Sequence, residues 1–311
     1  MRDEASKRAF IIQKVMGSWI YHKKIMVQTH PLLTTYDLTG AWVLGHNQRV
    51  TASELFAGAR AQLLPSRLTE ALSTLNGRIS ARTMLLLANT IDDTVANYAS
   101  FRSSGIIEAT RRVLHRVPTL SPVVVNPQTG YSATSIWMAE EMPHVYFIDI
   151  DTPETIADKQ KRLSWYHLPQ NLSLKGVDLS TTPLHEALRG FRPDVIEAIA
   201  AFCTADDFAH LLRYLRHVLV EGGWVIAPFP YAPGIENLSR NLTLFQRFAG
   251  KPRGVVESFD NIYRIMEVAG YHNIEILKLS DLAQDLDKPI PADIEVIAIA
   301  QALPLEETQT D

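Results

Sequence analysis

The chain has 311 residues, of which 46% are apolar and 21% are charged, an ordinary composition for a globular protein with a sizeable core. Its net charge of -4 provides no general attraction to nucleic acid or to an anionic membrane surface, and no apolar run is long enough for a transmembrane helix. The single cysteine, Cys203, excludes an internal disulfide and a cysteine-built zinc site, so we expect a cytoplasmic protein.

The first third of the chain is predicted to be mainly helical, and we expect residues 1–116 to form a helical lid and substrate region. Between the first two predicted helices, Leu38 to Leu44 forms either a short strand or a loop. Residues 1–60 act as a lid, as a dimerisation arm or as both. The predicted helices are Asp3 to Val15, Ala52 to Leu64, Ser66 to Leu75, Ile79 to Tyr98 and Ile106 to Val113.

From about residue 120, strands and helices alternate, which predicts a parallel sheet with right-handed crossovers. The last two strands are joined by a proline-containing loop, in which Leu282 to Leu286 forms at most a helical turn, so they are predicted to be antiparallel. The expected fold is therefore α/β, a Rossmann-like domain over 117–303 with a seven-stranded, mostly parallel sheet and an antiparallel last pair, followed by a tail at 304–311. The predicted strands are 122–126, 144–150, 172–177, 193–199, 223–228, 273–278 and 293–300, and the predicted helices are Ser132 to Met142, Pro153 to Trp165, Ala205 to Val220, Leu238 to Ala249 and Phe259 to Ala269.

Residues 119–160 carry the most informative pattern. A buried strand of three valines runs into a turn, Asn126 to Gly130, and a second strand ends in Asp149 and Asp151. In an open parallel sheet, such a turn approaches the polar end of a bound nucleoside, and an acid at the tip of the next strand accepts hydrogen bonds from ribose hydroxyls. The alternative is that one or both acids cap the helix that begins near Pro153.

Several segments resemble the leucine carboxyl methyltransferase-like group, which includes polyketide O-methyltransferases of the class I S-adenosylmethionine (SAM) type. VVNPQTGYSAT, starting at Val124, is similar to the family's VVNLGAGLDTR, and YFIDIDTPETI with Lys159 is similar to YFEVDLPEVIxxK. Pro193 to Thr204 matches the fourth-strand motif more loosely, and Ile91-Asp92-Asp93 resembles an element upstream of the first strand. The resemblance covers roughly residues 79–300.

This resemblance implies a SAM cofactor and methyl transfer to a hydroxyl or carboxylate of a small molecule. The implied cofactor-binding residues are Asn126, Gln128 and Gly130 in the turn, Asp149 and Asp151 for the ribose, Asp178 for the adenine amino group, Glu197 for the amino end of SAM, and Arg82 for its carboxylate. Several have a structural alternative: Asp178 as a turn former, Glu197 as a carboxylate paired with a basic structural partner, Arg82 as a solvated or structurally paired arginine, and Gly130 as an ordinary glycine of a strand–helix turn. No catalytic residue is assigned, and His210 is the one weak candidate to approach the substrate.

The chain departs from the family at the turn, where Gln128 replaces the first glycine and would crowd the cofactor together with Pro127. Phe202 replaces a tyrosine on the fourth strand. An alternative function is therefore a methyltransferase-fold protein that has lost methyl transfer and binds a metabolite, serves as a partner subunit or catalyses another reaction. A nicotinamide dehydrogenase is disfavoured because GxGxxG is absent. No spacing of histidines and acids indicates a metal site, and an exposed edge strand or the helical region would support a homodimer.

Overall fold

The fold is a seven-stranded sheet between two layers of helices, seen in a computed structural model that describes residues 93–130, 132, 134–164, 167–179, 181–198, 208–236, 255–285 and 293–304. The strand order is β3-β2-β1-β4-β5-β7-β6, and all strands are parallel except β7, which runs antiparallel to both of its neighbours. The predicted fold class and the antiparallel last pair are thereby confirmed. The strands are β1 (Val123–Pro127), β2 (Tyr146–Asp151), β3 (Leu172–Gly176), β4 (Val195–Glu197), β5 (Trp224–Pro230), β6 (Tyr271–Lys278) and β7 (Glu295–Ala302).

The helices cover both faces of this sheet, which explains why the strands are apolar on both sides. Val124 faces a layer formed by α1, α2 and α8, whereas its neighbour Val125 faces a layer formed by α4, α5 and α7. The described helices are α1 (Asp93–Leu114), α2 (Thr134–Glu141), α3 (Pro153–Arg162), α4 (Leu184–Ala187), α5 (Phe208–Val218), α6 (Ala232–Glu236), α7 (Phe259–Val268) and α8 (Leu279–Asp285).

Helix α1 is continuous through residues 99–105, whereas the sequence predicts one helix that ends at Tyr98 and another that begins at Ile106. The predicted break is wrong because Gly105 serves packing and not chain termination. A Cβ at this position would lie 2.6 Å from a Leu279 methyl and 2.8 Å from an Ile297 methyl, so the missing side chain lets α8 and β7 approach the helix. The other predicted helices within 1–92, the helix Leu238 to Ala249, Arg82, Phe202 and Cys203 lie outside the described residues.

Strands β1 and β4 form the topological switch point of the sheet. From β1 the chain moves outward to β2 and β3, whereas from β4 it moves outward in the opposite direction to β5. The helices that follow such a pair of strands lie on opposite faces, and this opens a crevice at the carboxyl ends of the two strands where ligands bind in open α/β sheets. The last residues of β1 and β4 are therefore the first place to look for a binding site.

Candidate functional site

Three polar side chains lie in a row across β2, β1 and β4. Asn126 is in register with Asp149, and the pairing of Val125 with Ile196 puts Glu197 at the same level on the other side. In-register residues of parallel strands point to the same face, here the face covered by α1 and α2. All three side chains are buried, so polar groups fill a level of the sheet where apolar residues would be expected.

Four polar atoms at this level have no hydrogen-bond partner among the described residues: Oδ1 and Nδ2 of Asn126, Oγ1 of Thr129 and Oε2 of Glu197. Buried polar atoms in native proteins are nearly always bonded, because leaving one unsatisfied costs about 1–3 kcal/mol. Their concentration at the switch point makes this end of the sheet the candidate functional site.

Glu197 is held by one oxygen and leaves the other available. The hydroxyl of Thr110, on α1, donates to Oε1 at 2.7 Å. Burial raises the pKa of Glu197 to about 7, the Thr110 bond opposes this rise, and the nearby charge of Asp149 adds to it. A carboxyl group with such a pKa changes its protonation state near neutrality.

Asp149 forms a buried ion pair with Lys159. Its Oδ2 accepts from the ammonium group of Lys159 at 2.7 Å, and its Oδ1 accepts from the hydroxyl of Ser135 at 2.5 Å. The side chains of Asp149 and Lys159 are 1% and 0% exposed. In the described structure both Asp149 oxygens accept hydrogen bonds and the side chain is shielded from solvent, so a contact between Asp149 and a ribose stays a prediction.

Asp151 lies at the tip of β2 and is half-buried. Its Oδ2 accepts from the amide of Gly130 at 2.7 Å, and its Oδ1 accepts from the amide of Thr152, also at 2.7 Å. Thr152, rather than either acid, caps α3, because its hydroxyl accepts from the amide of Thr155. The carboxylate therefore connects the turn after β1 to the start of α3. Each of its oxygens keeps a second lone pair, so it can still accept hydrogen bonds from hydroxyl groups of a ligand.

The turn after β1 has left-handed backbone conformations, which glycine favours, at Gln128 as well as at Gly130. Both Gln128 and Gly130 adopt left-handed conformations, with φ of 57° and 53°. For a residue with a Cβ this conformation costs roughly 1–2 kcal/mol. The Gln128 side chain is exposed, and the turn is held at Thr129, whose amide donates to the carbonyl of Ile150 at 3.0 Å.

The remaining candidates are dispersed around the same edge of the sheet. Asp178 follows β3, and its carbonyl accepts from the amides of Thr181 and Thr182, so it forms the predicted turn while its side chain is half-buried. His210 is exposed in the first turn of α5, which belongs to the helical layer on the other side of the sheet from Glu197. Arg82 lies outside the described residues.

A cleft of about 240 Å³ lies elsewhere, between α1, β6 and α8. Among its charged lining residues, Arg112 donates to both Glu108 and Glu275. Within the described ranges, no group of three or more histidine, cysteine and acidic residues has a geometry that could hold a metal ion. In the same part of the chain, none of the helices combines the length and apolar character that a membrane span requires.

Sequence reasoning did not assign roles to Thr110, Thr129, Ser135 and Lys159. Thr110 carries a recognisable signal, because it is a polar residue beside Ala109 on the apolar face of a helix. Lys159 is part of the motif that resembles the family's second strand, but nothing in its spacing indicates that it is buried. These residues are found only when the strands and helices are brought together.

No family model matches this chain, and no curated protein matches it. Among solved structures, human N-acetylserotonin methyltransferase in complex with SAM is similar at 16% identity and a TM-score of 0.49, over 86% of this chain and 66% of that protein. The SAM-dependent methyltransferase SibL in its apo form is similar at 12% identity and a TM-score of 0.49, over 94% of this chain and 77% of that protein. Magnesium protoporphyrin IX methyltransferase from Synechocystis, with bound SAH, is similar at 12% identity and a TM-score of 0.46, over 66% of this chain and 84% of that protein. With identities and TM-scores this low, the interpretation of the site depends on the residues of this chain alone.

Proposed function

We propose that this chain is a SAM-dependent O-methyltransferase that transfers a methyl group to a hydroxyl or carboxylate of a small molecule. The observation that carries the proposal is the set of buried polar atoms of Asn126, Thr129 and Glu197 at the switch point of the sheet, which have no hydrogen-bond partner among the described residues. Beside them Asp151 offers a half-buried carboxylate at the tip of the neighbouring strand. A nucleoside with a cationic amino-acid tail is complementary to this arrangement.

Each of these residues would contact a different part of SAM. Asp151 would accept hydrogen bonds from the ribose hydroxyls, and Asp178 would accept from the adenine amino group. Glu197 would face the ammonium of the methionine part through its free Oε2, with Asn126 and Thr129 offering donors and acceptors beside it. Arg82 is proposed to pair with the carboxylate of that part. The turn from Gln128 to Gly130 would pass close to the ligand, in line with its left-handed backbone.

Methyl transfer from SAM would require little catalytic chemistry from the protein itself. Bound SAM supplies a methyl group already activated on a sulfonium, so the protein's contribution is to hold the acceptor in line with it and to exclude water. A carboxylate acceptor needs no base, whereas a phenol benefits from one, and His210 is the candidate for that role. We propose that residues 1–116 cover the acceptor and that a homodimer forms through this region or through an edge strand.

The alternative function is a methyltransferase-fold protein without methyl transfer, and Gln128 is the observation in its favour. A side chain at a left-handed position adds strain and bulk where glycine would allow the backbone to approach a ligand. Such a protein would bind a metabolite, act as a partner subunit or catalyse a different reaction at the same crevice.

Calorimetric titration of SAM distinguishes these functions. The native protein is compared with Asp151→Ala, with Gln128→Gly and with Asp194→Ala as a matched control. Asp194 is a suitable control because it also accepts a backbone amide, that of Val123, but at the opposite end of β1. Micromolar binding that Asp151→Ala abolishes and Asp194→Ala retains supports the cofactor site, and a screen with methyl-labelled SAM then tests transfer. No binding by the native protein, with binding restored in Gln128→Gly, supports the alternative.

A further inference from the structure

Lys159 is the most deeply buried charged side chain that the proposed function leaves unexplained. It stands on α3, its side chain is fully shielded from solvent, and its ammonium group donates to Asp149 Oδ2 and to the carbonyl oxygen of Ser132, each at 2.7 Å. Burying a lysine and an aspartate is expensive, and a well-packed apolar pair of similar volume often stabilises a fold at least as well. A contribution to global stability is therefore a poor explanation for this ion pair.

The second acceptor of Lys159 indicates what the ion pair does. Ser132 ends the turn that follows β1: its amide donates to the carbonyl of Thr129 at 3.1 Å, and its hydroxyl accepts from the amide of Thr134 in the first turn of α2. By binding the Ser132 carbonyl, Lys159 connects α3 to the end of the turn that carries Gln128 and Gly130. Asp149 completes the link, because its other oxygen accepts from Ser135 on α2.

The turn is thus held by both acids of β2. In its middle, Asp151 accepts from the amide of Gly130, and at its end Asp149 acts through Lys159 on the carbonyl of Ser132. This support matters most where the sequence has Gln128, because a left-handed non-glycine residue needs surrounding structure to hold it in place.

We propose that Lys159 is a positioning residue for the ligand-binding turn, which it holds through the Ser132 carbonyl while Asp149 neutralises its charge. This inference rests on the proposed function as far as the ligand is concerned, but the link between Lys159 and the turn is a property of the chain itself. Lys159 does not touch the ligand, so its loss acts through the shape and order of residues 128–132.

The test separates positioning from stability by measuring amide hydrogen exchange in the ligand-free protein. The reporters are the bonded amides of Thr129, Gly130 and Ser132, with the amides of β5 and β7 as an internal reference for global unfolding. In Lys159→Met, we expect exchange at the turn to become at least about tenfold faster relative to this reference, as expected when a local bond to a charged donor is lost. Equal acceleration at the turn and in β5 and β7 would overturn the proposal.

Two further variants keep the test decisive if Lys159→Met is poorly stable. The first is the double variant Lys159→Met with Asp149→Asn, which leaves no unpaired carboxylate buried and whose side-chain amide at position 149 can still form a hydrogen bond with Ser135. Its free energy of unfolding should recover, while amide exchange at the turn should stay fast. The second is Met266→Ala, which removes a buried side chain in the opposite helical layer and serves as a control for destabilisation alone. It should leave the ratio of exchange at the turn to exchange in β5 and β7 unchanged. Recovery of both stability and slow exchange in the double variant would show that Lys159 merely compensates Asp149 and would overturn the proposal.

Titration with S-adenosylhomocysteine then connects the turn to the ligand. If the native protein binds it, Lys159→Met and the double variant should bind at least about tenfold more weakly, whereas Met266→Ala should bind with unchanged affinity at a temperature where it is folded. Unchanged affinity in the double variant would overturn the positioning role. If the native protein does not bind this probe, the proposed function fails, and the exchange measurement still decides the role of Lys159.

Discussion

The hydroxyl of Thr110 donates to Oε1 of Glu197 across 2.7 Å, and both groups are fully buried. The bond connects the long helix α1 to the end of β4, so the first described helix takes part directly in the candidate site. Because Glu197 has its second oxygen free of partners among the described residues, Thr110 determines which oxygen faces the crevice.

Thr110→Val should therefore lower the free energy of unfolding by about 1–3 kcal/mol, because it leaves a second Glu197 oxygen buried without a partner. It should also raise the pKa of Glu197 further, since the Thr110 bond is the contact that lowers it. Urea unfolding measures the first effect. Thr110→Ser retains the hydroxyl, so its free energy of unfolding should be much closer to that of the native protein. A Ser variant as unstable as the Val variant would show that the loss of packing, rather than the loss of the hydrogen bond, is responsible.

The stability of the ligand-free protein should depend on pH through Glu197. Its pKa is 4.5 for the unperturbed group and about 7 in the fold, so the folded state binds the proton more tightly than the unfolded state does. The contribution is fully present below pH 4.5 and is lost as the pH rises to about 7. The difference between these pKa values corresponds to about 3 kcal/mol.

The comparison with Glu197→Gln isolates this contribution from those of other titrating groups. We expect the native protein to lose stability relative to the Gln variant between pH 4.5 and 7.5, as measured by urea unfolding at several pH values. Parallel stability curves for the two proteins across this range would mean that Glu197 is ionised in the fold already at low pH.

Asn126→Leu should stabilise the ligand-free protein and weaken ligand binding. The substitution conserves the approximate shape of the side chain and removes two buried polar atoms that have no partner among the described residues, which should raise the free energy of unfolding by about 1–2 kcal/mol. Urea unfolding and titration with S-adenosylhomocysteine measure the two effects. A variant that is less stable than the native protein, with unchanged binding, would assign Asn126 a structural role.

Gly234→Ala should be strongly destabilising, although alanine favours helices. Gly234 is buried in α6, and a Cβ there would overlap the backbone carbonyl group of Asp293, just before β7. Backbone cannot yield as a flexible side chain can, so we expect a loss of about 2–4 kcal/mol in thermal or urea unfolding. Ala232→Gly in the same short helix is the control, with an expected loss of roughly 1 kcal/mol.

The alternation of strands and helices from about residue 120 predicts the fold class, because strands buried on both faces and alternating with helices leave few topologies. Val123–Pro127 and Tyr146–Asp151 lie within one or two residues of their predicted positions. The predicted break between Tyr98 and Ile106 is wrong, and a sequence does not show that Leu279 and Ile297 pack against Gly105 within a continuous helix.

The sequence locates the strand ends at which the candidate residues lie, but it does not show which contacts each of them makes. The alternation of Asp149 and Asp151 predicts that both face the same side, but it does not show that Lys159 from the next helix neutralises the first of them. Local spacing cannot reveal contacts that depend on how α1, α2 and α3 pack over the sheet. The pairing of Thr110 with Glu197 joins residues 87 positions apart, and it too belongs to this class of information.

The position of β7 has a consequence for how the protein is made. The last of the described strands, β7, lies between β5 and β6, and it forms hydrogen bonds with both. Until residues 295–302 have left the ribosome, β5 and β6 are already synthesised and each has an unpaired backbone edge. Of these two strands, β5 is buried along its whole length in the finished fold. During this interval the nascent chain exposes a template for intermolecular strand pairing, so dependence on chaperones should be greatest for chains interrupted just before β7.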